Sequence, residues 1–316
     1  MTKIVVTDGY TLNPGDLSWD PIKLFGNLTV YDRTKPEEIV ERCKDANIIL
    51  TNKVPVTEAN MAEMPQLKMI GVTATGYNII DVQAAAKRKI VVCNVPAYGT
   101  ASVAQHTFAL LLELTNQVGK HAASVAAGEW VKAPDFSYQL TPITELAGKT
   151  LGIVGWGNIG QQTARIAQAF DMQVLYYNPS KKENAFAQQV PMHELFAKSD
   201  FISLHCPLKP DNMGFVNHEL IQVMKPSAFI INTSRGPLIN EQDLADALNS
   251  NRIAGAALDV LSTEPPSAQN PLLTAKNCLI TPHIAWVSKE ARQRVMDTTI
   301  ANVEAFFQQK PVHKVS

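Results

Sequence analysis

The feature that most constrains the fold of this chain is a glycine-rich segment that directly follows a short apolar run. Residues 151–154 are apolar and of strand length, and they lead into Gly155-Trp156-Gly157-Asn158-Ile159-Gly160. Residues 161–170 then carry apolar side chains at helical spacing. A GxGxxG pattern between a strand and a helix is typical of a parallel α/β unit that binds a dinucleotide.

Each glycine of this turn has its own physical role. Gly155 permits the tight turn, Gly157 lets a pyrophosphate approach the backbone, and Gly160 lets the helix pack close to the strand. The unpaired N–H groups at the start of the helix then face the phosphates. This context favours dinucleotide binding over the alternative of a plain glycine-rich turn.

Short apolar runs rich in β-branched residues recur along the chain and alternate with segments of helical period. This pattern indicates parallel sheets that are buried on both faces, which is the α/β class. The first series predicts five strands, at 4–6, 28–31, 48–50, 69–72 and 91–93. The second series predicts six, the number of a doubly wound dinucleotide fold, at 150–154, 173–177, 201–204, 228–231, 255–258 and 278–280.

A chain of 316 residues is longer than a single typical domain, so we expect two α/β domains. Residues 99–286 would form a dinucleotide-binding domain of the Rossmann type, inserted into a flavodoxin-like substrate domain made of residues 1–98 plus 287–316. The last predicted helix, 288–307, has Val295, Thr299, Val303 and Phe306 at helical spacing. Since no strand follows it, we expect this helix to cover the first domain.

Composition restricts the classes of function. Hydrophobic residues make up 46% of the chain and charged residues 18%, a globular profile, and the net charge of −1 gives no attraction to nucleic acids. The four cysteines are far apart and no His/Cys group has metal-ligand spacing, so we expect neither a metal nor a disulfide framework. Because the start lacks a secretory signal and no apolar run is long enough for a membrane helix, we expect a cytoplasmic protein without membrane contact.

Three predicted strands of the second series end beside charged or titratable side chains. These are Arg235 after the strand at 228–231, Asp259 and Glu264 after 255–258, and His283 after 278–280. Since ligands of open α/β sheets bind at the carboxyl ends of the strands, we expect all of them at one edge. Any one of them alone would usually be a solvated loop residue, but together they indicate a catalytic set.

Further motifs accompany the glycine-rich turn. They are residues 145–154 before it, Thr233-Ser234-Arg235-Gly236, residues 257–260 with Glu264-Pro265, and Thr281-Pro282-His283. With these motifs nearly the whole chain resembles the D-isomer-specific 2-hydroxyacid dehydrogenases. Residues 52–53, 99–106 and 283–286 make it similar to the glycerate dehydrogenases of that family, also called hydroxypyruvate reductases. The resemblance implies NAD(P)-dependent conversion of a 2-keto acid, of the hydroxypyruvate or glyoxylate type, to the D-2-hydroxy acid and the reverse.

The resemblance also implies a role for each member of the catalytic set. His283 would be the general acid that protonates the substrate carbonyl, and the base in the reverse reaction. Glu264 would accept a hydrogen bond from the imidazole and orient it. Arg235 would bind the substrate carboxylate and polarise the carbonyl through its planar fork of donors.

The same resemblance assigns residues to the cofactor and the substrate. Asn158 and Ile159 would donate backbone hydrogen bonds to the pyrophosphate, and Asp259 would contact the nicotinamide carboxamide. The strand ends beneath the cofactor would supply Cys206, Pro207, Thr233 and Ser234, together with Arg235 and His283. In the first domain, the amides of Thr75 and Gly76 would hold the substrate carboxylate with Lys53 nearby; an ordinary glycine-containing turn is the alternative there.

The position that contacts the ribose falls on Asn178, where the family usually has aspartate. A carboxylate there bonds the 2′-hydroxyl and repels a 2′-phosphate. Asn178 can still bond a ribose hydroxyl, while Ser180, Lys181 and Lys182 would accept a phosphate or simply form an exposed turn. We therefore expect NAD as the cofactor, with NADP as an alternative.

Two other hypotheses remain at the level of sequence: an NAD-sensing, corepressor-like binding protein on the same fold, and a dehydrogenase for a different D-2-hydroxy acid. The complete set of Arg235, Glu264 and His283 favours an enzyme over a sensor. Glu264 disfavours a formate dehydrogenase, whose histidine partner is typically Gln, and the length disfavours a phosphoglycerate dehydrogenase with a regulatory domain. The resemblance further implies a homodimer built through the cofactor domains, and an active site in the cleft between the two domains.

Overall fold

The structure is a computed structural model that describes residues 1–182 and 186–316. The chain divides into two compact units: Met1–Gly99 with Val287–Ser316 forms the first, and Thr100–Trp286 forms the second. The first unit is therefore made from two segments of chain that the second unit separates in the sequence. Each unit has its own parallel sheet.

The sheet of the first unit has five parallel strands in the order β2-β1-β3-β4-β5. They are β1 Lys3–Val6, β2 Asn27–Val30, β3 Ile48–Thr51, β4 Met69–Val72 and β5 Val91–Cys93. All residues of β3 and β4 are buried, as expected for a central strand covered on both faces. The predicted strands of this unit are confirmed to within one residue at each end.

The sheet of the second unit has seven parallel strands in the order β12-β11-β10-β9-β6-β7-β8. They are β6 Thr150–Val154, β7 Gln173–Tyr177, β8 Gln188–Gln189, β9 Phe201–Leu204, β10 Phe229–Asn232, β11 Gly255–Leu258 and β12 Cys278–Ile280. The prediction of six strands was one short. The missed strand, β8, is a polar pair at the sheet edge, too short to show a hydrophobic pattern.

Thirteen helices of α type occur in the described part of the chain. They are α1 Gly9–Leu12, α2 Asp20–Lys23, α3 Ile39–Cys43, α4 Glu58–Ala62, α5 Val82–Lys87, α6 Thr100–Asn116, α7 Val118–Ala126, α8 Glu129–Lys132, α9 Asn158–Ala169, α10 Met192–Lys198, α11 His218–Val223, α12 Glu241–Asn249 and α13 Lys289–Phe307. None of the described helices is long and apolar enough to cross a membrane.

The last helix, α13, belongs to the first unit and packs against β4. Its N-cap is Ser288, whose hydroxyl accepts from the amide of Ala291 at 3.2 Å. Arg292 ties it to the loop after α1, because the two guanidinium Nη atoms lie 2.6 and 2.7 Å from the carboxylate oxygens of Asp16. The helix α13 is thus attached to the first unit through both its apolar face and Arg292.

The helix α6 is the structural centre of the second unit. It packs against α9 and also contacts the strands β10 and β11. Beyond it, the stretch 128–144 contains the short helix α8. Several apolar side chains of this stretch and of α7 are exposed.

Candidate active site

The glycine-rich turn has the backbone geometry that its sequence predicts. Gly155 has a φ of +102°, and a Cβ there would lie 2.7 Å from backbone atoms of His205 and Cys206. A Cβ on Gly160 would collide with the carbonyl oxygen of Gly155. At Gly157, in contrast, a Cβ would meet nothing within 4 Å. Two of the glycines are therefore required by packing, while the third leaves open space beside the backbone.

The helix α9 begins directly at this open space, with Asn158 as its first residue. Its N-cap is Gly157, so the first turn has no side-chain cap among the described residues, and it contains no acidic side chain. Uncapped amides at the positive end of a helix favour an anionic ligand. The turn and the amides of Asn158 and Ile159 therefore fit the pyrophosphate of a dinucleotide.

Asn178 follows β7, at the strand end next to the glycine-rich turn. Its Oδ1 accepts from the amide of Trp156 at 3.2 Å, and its Nδ2 donates to the carbonyl and hydroxyl oxygens of Ser180 at 2.9 and 3.0 Å. The side chains of Lys181 and Lys182 are exposed. Asn178 thus fixes the turn that carries these two cations.

The strand ends of β9 and β10 lie side by side, as expected for Cys206, Pro207, Thr233 and Ser234. The hydroxyl of Ser234 donates to the carbonyl of Leu204 at 2.7 Å, and the hydroxyl of Thr233 lies 3.1 Å from that of Thr107 on α6. Burial raises the pKa of the Cys206 thiol to about 11. Because the thiolate is the reactive form, this environment disfavours redox reactivity of the Cys206 sulfur.

His283 and Glu264 form a close pair at the same edge. The Nδ1 atom of His283 lies 2.6 Å from Oε2 of Glu264, and Oε1 of Glu264 accepts from the amide of Leu261 at 3.1 Å. An ionised carboxylate can only accept, so Nδ1 carries the proton of this bond and Nε2 is left to exchange a proton. The His283 side chain is 28% exposed, which leaves it accessible to a small molecule.

The backbone of His283 is in the left-handed region, with a φ of +55°. Its amide donates to the carbonyl of Asp259 at 2.8 Å. Both carboxylate oxygens of the buried Asp259 accept from the protein itself: the amides of Ile284 and Ala285 donate to them at 2.9 and 2.8 Å. The predicted contact of Asp259 with the nicotinamide stays a prediction.

The pKa of Asp259 follows from these contacts. Burial alone would raise it, but hydrogen bonds from His106, from Thr281 and from the two amides hold it below its usual value. Asp259 is therefore ionised inside the protein. It supplies a fixed negative charge and a set of acceptors directly beneath the His283 loop.

Arg235 follows β10, and its side chain is exposed. The turn is fixed by Asn232, whose Nδ2 donates to the Arg235 carbonyl at 2.9 Å. Gly236 packs so closely on Leu261 that there is no room for a Cβ, which brings the Arg235 turn against the loop that carries Glu264. The guanidinium donates to the carbonyl of Ser234 at 2.7 Å and forms no ion pair within the described residues. It remains available for a carboxylate.

The predicted substrate residues of the first unit lie at the carboxyl edge of its sheet. Asp8, after β1, accepts from the amide of Lys53 at 2.6 Å and from that of Asn52 at 2.9 Å, and so fixes the segment after β3. The amides of Thr75 and Gly76 have no acceptor among the described residues. They can bind an anionic oxygen, as predicted for a substrate carboxylate.

Two residues beside these sheet edges, Asp8 and His106, were not among the site residues predicted from the sequence, although His106 lies in the motif at 99–106. Asp8 was hidden because its partners are more than forty residues away in sequence. His106 lies on α6, with its Nε2 3.1 Å from the hydroxyl of Thr281 and 3.5 Å from Asp259. Ser102 and His106 share one helix face, but this spacing occurs in every helix, and the partner Thr281 lies 175 residues away in sequence.

The chain is similar to known proteins in both sequence and structure. Residues 108–285 match the family model described as D-isomer specific 2-hydroxyacid dehydrogenase, NAD binding domain. The chain is 50% identical to the hydroxypyruvate reductase of Blautia hydrogenotrophica, with 99% of each chain covered. It is 40% identical to the glycerate dehydrogenase of Methylorubrum extorquens over 90% of each chain. A solved structure, the acyclic imino acid reductase Bsp5 in complex with NADPH and D-Arg, has a TM-score of 0.87 and 35% identity over the full length of both chains.

Proposed function

This chain belongs to the D-isomer-specific 2-hydroxyacid dehydrogenase family, and from that premise we propose that it reduces a small 2-keto acid of the hydroxypyruvate or glyoxylate type. The observation that carries the proposal is the 2.6 Å pair of His283 and Glu264, with Arg235 on the neighbouring turn. The 50% identity to a hydroxypyruvate reductase over the whole chain supports this substrate class.

The prediction of an enzyme, rather than a binding protein that senses the dinucleotide, is confirmed by family membership. The chain is an NAD(P)-dependent oxidoreductase that interconverts 2-keto and D-2-hydroxy acids. The resemblance noted from its motifs is confirmed by the same comparisons. We propose the roles of the individual residues from their geometry.

His283 is the proton donor of the proposed reaction. The Glu264 carboxylate accepts from Nδ1 and fixes the plane of the ring, so that Nε2 presents the proton to the carbonyl oxygen of the substrate. In the reverse direction the same atom takes the proton from the hydroxyl group. A bound NAD(P)H supplies the hydride for the carbonyl carbon.

Arg235 binds the substrate carboxylate in this proposal. A guanidinium offers two parallel N–H groups to a carboxylate, and this geometry fixes the orientation of the carbonyl as well as its position. The amides of Thr75 and Gly76 and the side chain of Lys53, in the first unit, are the further substrate contacts that we propose. Asp8 would act on the substrate only indirectly, because it accepts a hydrogen bond from the backbone amide of Lys53 and so positions that residue.

The cofactor is NAD(P), and its pyrophosphate is proposed to lie on Gly157, Asn158 and Ile159. The open space at Gly157 and the uncapped start of α9 support this position. We propose that both NADH and NADPH are used. Asn178 has no charge to repel a 2′-phosphate, and Lys181 and Lys182 lie exposed beyond it.

We propose that the active protein is a homodimer formed through the second unit. A groove of about 450 Å³ between α6 and α9 is lined mainly by apolar residues, among them Phe108, Leu112 and Ile166. In the same unit Trp130 is 52% exposed and Phe136 is 90% exposed. Exposed apolar surface of this kind marks a protein interface, and a second copy of the chain is its proposed occupant. Analytical ultracentrifugation of Phe136→Asp, expected to shift the dimer toward monomer, tests this.

We also propose a cytoplasmic location. All four cysteines are free thiols, and burial raises the pKa of Cys43 and Cys278 to about 12. Unpaired cysteines are typical of a reducing compartment. Cell fractionation with an antibody against the chain tests this location, and recovery from a secreted or membrane fraction would contradict it.

The decisive experiment is a kinetic panel with the purified protein and both reduced cofactors. Hydroxypyruvate, glyoxylate and pyruvate are assayed by loss of nicotinamide absorbance, and the chirality of the product is determined. We expect the highest kcat/KM for hydroxypyruvate or glyoxylate, and D-glycerate as the product from hydroxypyruvate. A parallel arm adds an amine to pyruvate, since one similar structure is an imino acid reductase. Turnover only in that arm, or an L product, would contradict the proposal.

A further inference from the structure

One face of α6 lies against the loop that carries His283. The hydroxyl of Ser102 donates to the carbonyl of Ala285 at 2.8 Å, and Nε2 of His106 lies 3.1 Å from the hydroxyl of Thr281. Residues four apart on a helix share one face, so these two side chains hold both ends of the segment 281–285. The loop is therefore attached to α6 on either side of His283.

The direction of the hydrogen bonds in this network follows from its chemistry. The hydroxyl of Thr281 lies 2.5 Å from Oδ1 of Asp259, which can only accept, so the hydroxyl proton points to Asp259. The same hydroxyl oxygen must then accept from His106, whose Nε2 carries a proton. His106, Thr281 and Asp259 form one ordered chain of donors that ends on a buried charge.

Asp259 in turn determines the backbone at His283. Its oxygens accept from the amides of Ile284 and Ala285, and its carbonyl accepts from the amide of His283. A left-handed φ is uncommon for a residue other than glycine and persists only when its surroundings fix it. Three consecutive amides bound to one aspartate provide that constraint, and they aim the ring of His283 toward Glu264.

We propose that His106, Thr281 and Asp259 are positioning residues that hold His283 in its proton-donating geometry. This inference rests on the proposed role of His283 as the general acid. It assigns Asp259 to the loop of the acid, where the family resemblance assigns it to the nicotinamide. It also gives a role to His106, which neither the motifs nor the pair with Glu264 explains.

The test compares Thr281→Val, which removes the hydroxyl at constant shape, with Thr281→Ser, which restores it. The matched control is Thr115→Val on α6, where a buried hydroxyl bonds only to carbonyls of its own helix, Leu111 and Leu112. His106→Leu is a second disruption of the same chain. For each variant we measure kcat with hydroxypyruvate in H₂O and D₂O, and NADH binding by fluorescence, which also reports a folded cofactor site.

We expect Thr281→Val to lower kcat by about 10- to 100-fold, because misplacement of a reacting group by about 1 Å has an effect of this size. The solvent isotope effect should rise as proton transfer becomes limiting, NADH affinity should stay unchanged, and Thr281→Ser should recover most of kcat. Wild-type kcat and isotope effect in both Thr281→Val and His106→Leu would overturn the inference, as would a loss of NADH affinity that accounts for the whole defect. If the inference is overturned but His283→Ala is inactive, only the positioning role is wrong. If His283→Ala is also active, the role of His283 as the acid is wrong.

Discussion

The Nδ1 atom of His283 lies 2.6 Å from Oε2 of Glu264, although nineteen residues separate the two in sequence. The pair joins a loop after β12 to a loop after β11, and these are neighbouring strands of one sheet. A carboxylate at this distance fixes the proton on Nδ1 and limits rotation of the ring. The other ring nitrogen is then held in one direction before any substrate binds.

Replacement of His283 by alanine removes the proposed proton donor. We expect turnover to fall by ~10² to 10⁴-fold, the usual contribution of general acid catalysis. NADH binding should persist, because the glycine-rich turn is untouched. Steady-state kinetics with hydroxypyruvate and fluorescence titration of NADH check both parts. Reduction at a near wild-type rate would show that His283 is not the acid.

Glu264→Gln tests whether Glu264 acts through His283. The amide retains the size of the side chain but loses the charge, so we expect a lower kcat with a smaller loss than in His283→Ala. The kcat of the double variant should then be within about twofold of that of His283→Ala, because the effects of two residues that act together are not additive. If the fall of kcat in the double variant equalled the product of the two single effects, Glu264 would act on a group other than the His283 ring.

Arg235→Lys retains the positive charge and loses the planar fork of donors. We expect kcat/KM for 2-keto acids to fall by at least about tenfold, which corresponds to ~1.4 kcal/mol. Arg88→Lys is the matched control, since Arg88 lies exposed at the end of α5, in the first unit. An unchanged kcat/KM in Arg235→Lys would exclude bidentate binding of the substrate carboxylate.

Asn178→Asp introduces the charge that repels a 2′-phosphate. We expect the ratio of kcat/KM for NADH over NADPH to rise by at least about tenfold, or ~1.4 kcal/mol. Lys181→Ala should lower only the NADPH value, and by less at higher salt, because exposed charges are screened. A ratio that does not respond to Asn178→Asp would place position 178 away from the ribose.

Gly157→Ala and Gly155→Ala separate cofactor binding from folding. A methyl group at Gly157 enters open space, so we expect a change of stability within about 1 kcal/mol but weaker NADH binding. At Gly155 the same change meets the backbone of His205 and Cys206 at a φ of +102°, and we expect a clear loss of thermal stability. Thermal melts and NADH titrations measure both, and wild-type NADH affinity in Gly157→Ala would exclude this turn as the phosphate site.

The sequence alone determined the class of the fold and most of its strands. Buried parallel strands are continuous apolar runs, which is why β4 and β9 were predicted with their observed bounds. It also determined the glycine-rich turn. Gly160 is required by the nearby backbone of Gly155, and Gly155 by the segment that follows β9, the neighbouring strand of the sheet. The polar edge strand β8 was missed because two residues carry no periodicity.

The tertiary structure decided which side chains act together. The sequence places Glu264, Arg235 and His283 at strand ends, but only the order of the sheet makes β10, β11 and β12 neighbours. The network of His106, Thr281 and Asp259 joins residues up to 175 positions apart, so no local pattern could predict it. Hydrogen bonds depend on distance and direction in space, and a chain acquires both only when its helices and strands are packed.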